Sequence, residues 1–153
     1  MGVKDYLVKP VERKALLATL KRVGAGVLHD VLVVDDEPSA AELMVEILDE
    51  EGLGSRRAAN GREALARIEE RKPDAILLDL MMPEMDGFEV IDRLQSDPAW
   101  ERIPVIVVTA RDLGADERRY LARRVEKVVQ KGSLDPEKLA QAVRNAVGGP
   151  NRE

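Results

Sequence analysis

From residue 31 onward, short apolar runs alternate with stretches whose apolar residues recur every three or four positions. "VLVVD" (31–35) is β-branched and uninterrupted, the mark of a strand buried on both faces. Pro38 stands where a helix commonly begins, Leu43, Ile47 and Leu48 follow at helical spacing, and Gly52 and Gly54 end the helix. A weaker strand, "SRRAA", runs to the turn pair Asn60-Gly61, after which Ala64, Leu65 and Ile68 line one side of a second helix. "DAILLD" (74–79) is the next strong strand, and Asp86-Gly87 opens a helix with Phe88, Ile91 and Leu94 facing inward. "PVIVVTA" (104–110) precedes the charged helix "ADERRYLARR"; "VEKVVQ" (125–130) and a helix over about 136–147 close the series. Five successive strand–helix units of this kind predict a parallel sheet covered on both faces, an α/β fold. Ligands of such sheets bind beyond the carboxyl ends of the strands, so the chemistry is expected where the strands stop.

At those stops stand three acids, a hydroxyl and an amine: Asp35 and Asp36 after the first strand, Asp79 after the third, Thr109 at the fourth, Lys131 after the fifth. Clustered carboxylates repel one another, which makes ionising all of them costly. A hard cation relieves that repulsion, and Mg²⁺ favours one or two carboxylates, a carbonyl and waters. With Lys131 and Thr109 available to phosphoryl oxygens, one carboxylate can act as an in-line nucleophile and form an acyl phosphate. Asp79, on the central strand, is the expected nucleophile. Taken singly, Asp36 or Glu37 would equally serve to cap the helix at Pro38.

Composition narrows the classes. The chain has 153 residues, 44% apolar and 35% charged, with a net charge of −5. That fits one compact domain with some added length, and neither the charge nor the four aromatic rings (one Trp, two Tyr, one Phe) suits a nucleic-acid binder. Without cysteine there are no disulfides or thiolate metal sites. Apolar runs such as "AILL" are too short for a membrane span, and charges from Asp5 to Lys14 break any signal peptide, so a cytoplasmic protein without membrane contact is expected.

"VLVVDDEPSA", "ANGREAL", "PDAILLDLMMPEMDGFEVI", "IPVIVVTA" and "VVQKGSL" together resemble the receiver domain of two-component response regulators, from about residue 31 to 147. The separations between Asp36, Asp79, Thr109 and Lys131 (43, 30 and 22 positions) suit that family. The resemblance implies a flavodoxin-like doubly wound sheet of five parallel strands in the order 2-1-3-4-5. It implies that Asp79 accepts a phosphoryl group from a histidine of a kinase or phosphotransfer protein. By the same resemblance Asp35, Asp36, Asp79 and the backbone carbonyl of Met81 hold Mg²⁺. Thr109 bonds the phosphoryl oxygen, Lys131 pairs with Asp79 or its phosphate, and small Ala110 leaves room for the group to enter. The side chains at Met81 and Arg111 would set how fast the acyl phosphate hydrolyses, and apolar Met81 implies a persistent one. The chain departs from the family twice: Gly132 follows Lys131 where proline is usual, and Val128 stands where an aromatic switch is frequent. Two other readings stay open, a receiver-like module that only mediates contacts and an aspartate-nucleophile phosphohydrolase. The latter usually has a second acid two positions after the nucleophile, where this chain has Met81.

The opening, "VKDYLVKP" followed by "VERKALLATLKRV", resembles the last strand and helix of a receiver, 122 positions ahead of Lys131 when Lys9 is aligned with it. The expected organisation is a remnant of an upstream receiver over 1–23, a linker over 24–30, the receiver over 31–147 and a tail over 148–153. A tandem-receiver parent or hybrid histidine kinase would explain the remnant. The remnant is expected to dock on the intact domain or on a second copy, giving a possible homodimer. His29 in the linker reads as incidental, Trp100 as packing, and the basic group Arg118, Arg119, Arg123, Arg124 and Lys127 as a solvated helix face.

Overall fold

The computed structural model describes residues 29–148. The expected remnant over 1–23 and most of the expected linker and tail lie outside those residues. Ten elements alternate along the described chain: β1 (Asp30–Val34), α1 (Pro38–Glu50), β2 (Gly54–Ala58), α2 (Gly61–Glu70), β3 (Ala75–Leu78), α3 (Gly87–Gln95), β4 (Val105–Thr109), α4 (Ala115–Ala122), β5 (Lys127–Gln130) and α5 (Pro136–Gly148). A 3₁₀ turn over Lys131–Ser133 leads from β5 toward α5. The strands pair in parallel in the order β2-β1-β3-β4-β5, as the resemblance implied.

The uninterrupted apolar runs are explained by burial from both sides. Leu32, Val34, Ile76, Leu78, Val105 and Val107 join Ala64, Ile68, Val90, Ile91, Leu94 and Leu121 in one cluster, under α2, α3 and α4. The alternate residues Val31, Val33, Ala75, Leu77, Ile106 and Val108 form a second cluster with Met44, Ile47, Leu48, Leu139 and Val143 of α1 and α5. Strand side chains alternate in direction, so each central strand feeds both clusters and can spare no polar position. Polar residues are therefore pushed to the strand ends.

Local signals set the helix starts. The Asn60 side chain accepts from Glu63 N at 2.9 Å and Asp86 from Glu89 N at 3.0 Å, each serving a backbone donor that the first turn leaves free. Glu37 occupies the cap position of α1, but its side chain makes no cap bond. Asp35 Oδ1 instead accepts from Glu37 N at 2.9 Å, so the acid that organises this turn is one of the site carboxylates.

Three sequence expectations are corrected. Leu43 is 43% exposed, because the buried face of α1 is set by Ala41, Met44, Ile47 and Leu48 and position 43 falls off that stripe. Gly54 opens β2 rather than ending α1; the chain turns at Gly52, whose φ of 77° is the left-handed conformation that glycine adopts without strain. Asp30, expected in the linker, is the first residue of β1, paired with Gly54 and held by the Arg56 guanidinium at 2.7 Å. No helix among the described residues is long and apolar enough to cross a membrane.

Candidate functional site

Strand register brings the site residues to one rim. Val34 is level with Leu78, Leu78 with Val107, and Val107 with Val128. Asp35 and Asp79 are thus the next residues on adjacent strands, Thr109 stands two beyond its reference and Lys131 three. Asp35, Asp79 and Thr109 are buried, while Asp36 is exposed. Carboxylate oxygens of Asp35, Asp36 and Asp79 lie within 4.8 Å of one another.

The Lys131 ammonium reaches into this group. Its Nζ lies 2.8 Å from Asp35 Oδ2, 3.3 Å from Asp79 Oδ2 and 3.5 Å from Glu37 Oε1. Asp79 Oδ1 accepts from Met81 N at 3.1 Å. Burial pushes the Asp79 carboxyl above the usual carboxylate range; the Met81 amide and the Lys131 charge pull it back only partly, and the neighbouring Asp35 charge adds to the rise. Burial also works to lower the Lys131 ammonium, but its bonds to Asp35 and Asp79 outweigh that and leave it above the ordinary lysine value. One cation shared by two buried acids satisfies neither fully.

The donor set fits a hard divalent cation. Asp35 Oδ2 is a buried oxygen that makes no regularly oriented hydrogen bond, even with the ammonium at 2.8 Å. It lies beside two further carboxylates and, among the described residues, no His or Cys ligand joins them, the oxygen-only chemistry that Mg²⁺ prefers. A cleft of about 140 Å³ lined by Asp35, Asp36, Pro38, Arg57, Ala58, Ala59 and Glu63 opens beside the pair.

The other expected residues fall as follows. Thr109 Oγ1 accepts from Arg111 N at 3.2 Å. Ala110, exposed, follows it at the mouth of the rim. The Met81 side chain projects outward, 52% exposed. His29 lies at the opposite end of β1, its imidazole 3.9 Å from Asp74, away from the carboxylates. Trp100 packs half-buried on the cluster under α2–α4. Of the basic group, Arg119 pairs with Asp116 and Arg124 stacks 3.9 Å above the Tyr120 ring.

Two contributors were missed. Glu37 is the third acid at Lys131, and its place directly after Asp36 was the available signal. At Gly87, which the sequence marks as a helix opener, a Cβ would stand 2.7 Å from both the Asp79 carbonyl oxygen and Leu80 Cα. Its amide donates to Leu80 O at 3.1 Å, so α3 abuts the backbone that carries Asp79. The intervening loop includes Glu84 at φ 67°, a left-handed conformation unusual for a residue other than glycine.

The family model described as "Response regulator receiver domain" matches residues 31–144. The chain is 38% identical over 113 residues to the gliding motility regulatory protein of Myxococcus xanthus, covering 74% of this chain and 14% of that one. It is 36% identical over 114 residues to the phosphate regulon transcriptional regulatory protein PhoB of Rhizobium meliloti, covering 74% of this chain and 50% of that protein. The chain therefore spans half or less of the length of these two relatives. Among solved structures, the signal receiver domain of a signal transduction histidine kinase from Syntrophus aciditrophicus is similar at 33% identity and a TM-score of 0.73, covering 82% of this chain and 94% of that one.

Proposed function

Since the chain belongs to the response regulator receiver domain family and is a phospho-accepting signalling domain, we propose that Asp79 is its phosphoacceptor and that Asp35, Asp36, Asp79 and the Met81 carbonyl hold Mg²⁺. The observation that carries this reading is the convergence of three carboxylates within 4.8 Å around a lysine that bridges two of them. Receivers interact with histidine kinases or phosphotransfer proteins; the donor proposed here is accordingly a phosphohistidine. An Asp79 oxygen attacks phosphorus, the N–P bond breaks, and its electron pair returns to the imidazole. The product is an aspartyl phosphate.

Bound Mg²⁺ would supply positive charge to the phosphoryl oxygens and offset the repulsion among the carboxylates. The chain's own residues do the rest. Lys131, already 3.3 Å from Asp79, neutralises a phosphoryl oxygen as charge builds there. Thr109 donates its hydroxyl hydrogen to another, and Ala110 leaves the approach open. The Met81 amide at 3.1 Å orients the Asp79 carboxylate. Met81 also stands where a hydrolytic acid or base would serve a phosphohydrolase, which supports a persistent phosphate.

Intact-protein mass after incubation with acetyl phosphate and Mg²⁺ tests the reading. The wild type is expected to gain one phosphoryl group, dependent on Mg²⁺, and Asp79→Asn none. An adduct that survives in Asp79→Asn would assign the wrong aspartate. No adduct in the wild type with this donor or with a phosphohistidine protein would leave a module that only mediates contacts.

A further inference from the structure

We infer that Arg111 is a positioning residue that ties the Thr109 hydroxyl to the start of α4 and carries the state of the phosphorylation site to the α3–α4 face. The inference rests on the role proposed above for Thr109. Val128 of β5 is half-buried in the cluster under α2–α4 and has no ring to swing between two positions.

The contacts of Arg111 run in three directions. Its amide donates to Thr109 Oγ1 at 3.2 Å, and its carbonyl accepts from Gln130 Nε2 of β5 at 3.3 Å. Its guanidinium pairs with Glu117. The same Glu117 carboxylate accepts from Gly114 N at 3.0 Å, and glycine at that cap position has no side chain to do the job itself. Glu117 is thus shared between the start of α4 and Arg111. The guanidinium carbon also lies 5.9 Å from the Phe88 ring centroid on α3. Phe88 meets Tyr120 edge-on at 5.8 Å, and the Tyr120 hydroxyl donates to Asp92 at 2.5 Å.

Thr109 and Arg111 cannot move independently. A hydroxyl drawn toward a phosphoryl group on Asp79 either pulls the Arg111 amide along or breaks that bond. Each outcome acts on the residue whose side chain holds Glu117 and Phe88. The element at the end of this path is weakly anchored: α4 has eight residues, of which Leu121 alone is buried. Helices with so little core open at low free energy, so a small pull suffices to shift them.

Hydrogen exchange of the α4 amides, read by mass spectrometry on the full chain, tests the tie. In the unmodified protein Thr109→Val and Arg111→Ala should each speed α4 exchange roughly fivefold, the scale set by one net hydrogen bond. The double variant should exceed neither by much, since both cut one connection. Thr109→Ser, which keeps the hydroxyl, should exchange like the wild type and controls for packing. Single effects that multiply in the double variant, or wild-type exchange in Arg111→Ala, would overturn the inference. In samples whose mass shows the phosphoryl adduct, α4 exchange should change in the wild type and stay put in Arg111→Ala; an equal response in both would also sink it. Absence of the adduct in the wild type would count against the proposed phosphorylation, while the unmodified variants still decide the tie.

Discussion

Asp79 is held in an environment that disfavours its charge, and this has a measurable sign. Its carboxyl lies above the usual range because burial outweighs the Met81 amide and Lys131. A carboxyl raised in the folded state binds a proton more readily there than in the unfolded chain. The associated stability is present at pH below the unfolded value and is lost as pH rises through the folded one. Metal-free Asp79→Asn, which carries no such charge, should therefore melt above the wild type at pH 7. The gap should close as pH falls toward the ordinary carboxylate range, and thermal melts in a chelator check it; an equal or lower melting temperature at pH 7 would refute the argument. Met81 makes a second prediction. Its side chain is exposed beside the acceptor and has no group to orient water. Met81→Asn should shorten the aspartyl phosphate lifetime by roughly tenfold, about 1.4 kcal/mol of barrier, as followed by loss of the mass adduct with time.

At the scale of elements, the site is built from strand ends and the turns that leave them. The loop between β3 and α3 is held against Asp79 by Gly87, where any side chain would meet the Asp79 and Leu80 backbone at 2.7 Å. Backbone cannot swing aside as the end of a side chain can. Gly87→Ala should thus cost about 1–3 kcal/mol in denaturant unfolding. It should also slow phosphorylation by acetyl phosphate more than the same loss of stability placed elsewhere, because the displaced atoms carry the acceptor. Wild-type stability with wild-type phosphorylation would show that α3 can draw back freely. At the far rim, Arg56 of β2 joins Asp30 of β1 at 2.7 Å to the carbonyls of Arg67 and Arg71 at 2.9 and 2.6 Å. One guanidinium there satisfies the end of α2 and a buried acid together.

For the whole molecule, the two apolar clusters on opposite faces of the sheet hold the rim in place, and stability and site occupancy are linked. A cation that binds the folded site and not the unfolded chain stabilises by mass action, about 2.7 kcal/mol at a hundredfold excess over its Kd. Mg²⁺ should accordingly raise the wild-type melting temperature by about 10 °C at that excess. The rise should be smaller in Asp79→Asn, which keeps two of the three carboxylates. Calorimetry with and without Mg²⁺ measures both, and an equal rise in the two proteins would place the cation away from Asp79.

The sequence by itself determined the strand–helix alternation, the two-sided burial of the central strands and the rim on which Asp35, Asp36, Asp79, Thr109 and Lys131 stand. These follow from local periodicity and from the rule that a doubly covered strand can be polar only at its ends. Leu43 was misread because its own run of residues cannot fix the rotation of α1 about its axis, which packing against the sheet and α5 decides. Glu37 and Gly87 were passed over for a related reason. The first matters because Lys131, 94 positions away, reaches it; the second because α3 closes on the Asp79 backbone. Only the tertiary structure decided these contacts, and with them the charge balance at Asp79 and the path from Thr109 through Arg111 to α4. Distances between residues remote in sequence are set by how the layers pack, and no local pattern encodes them.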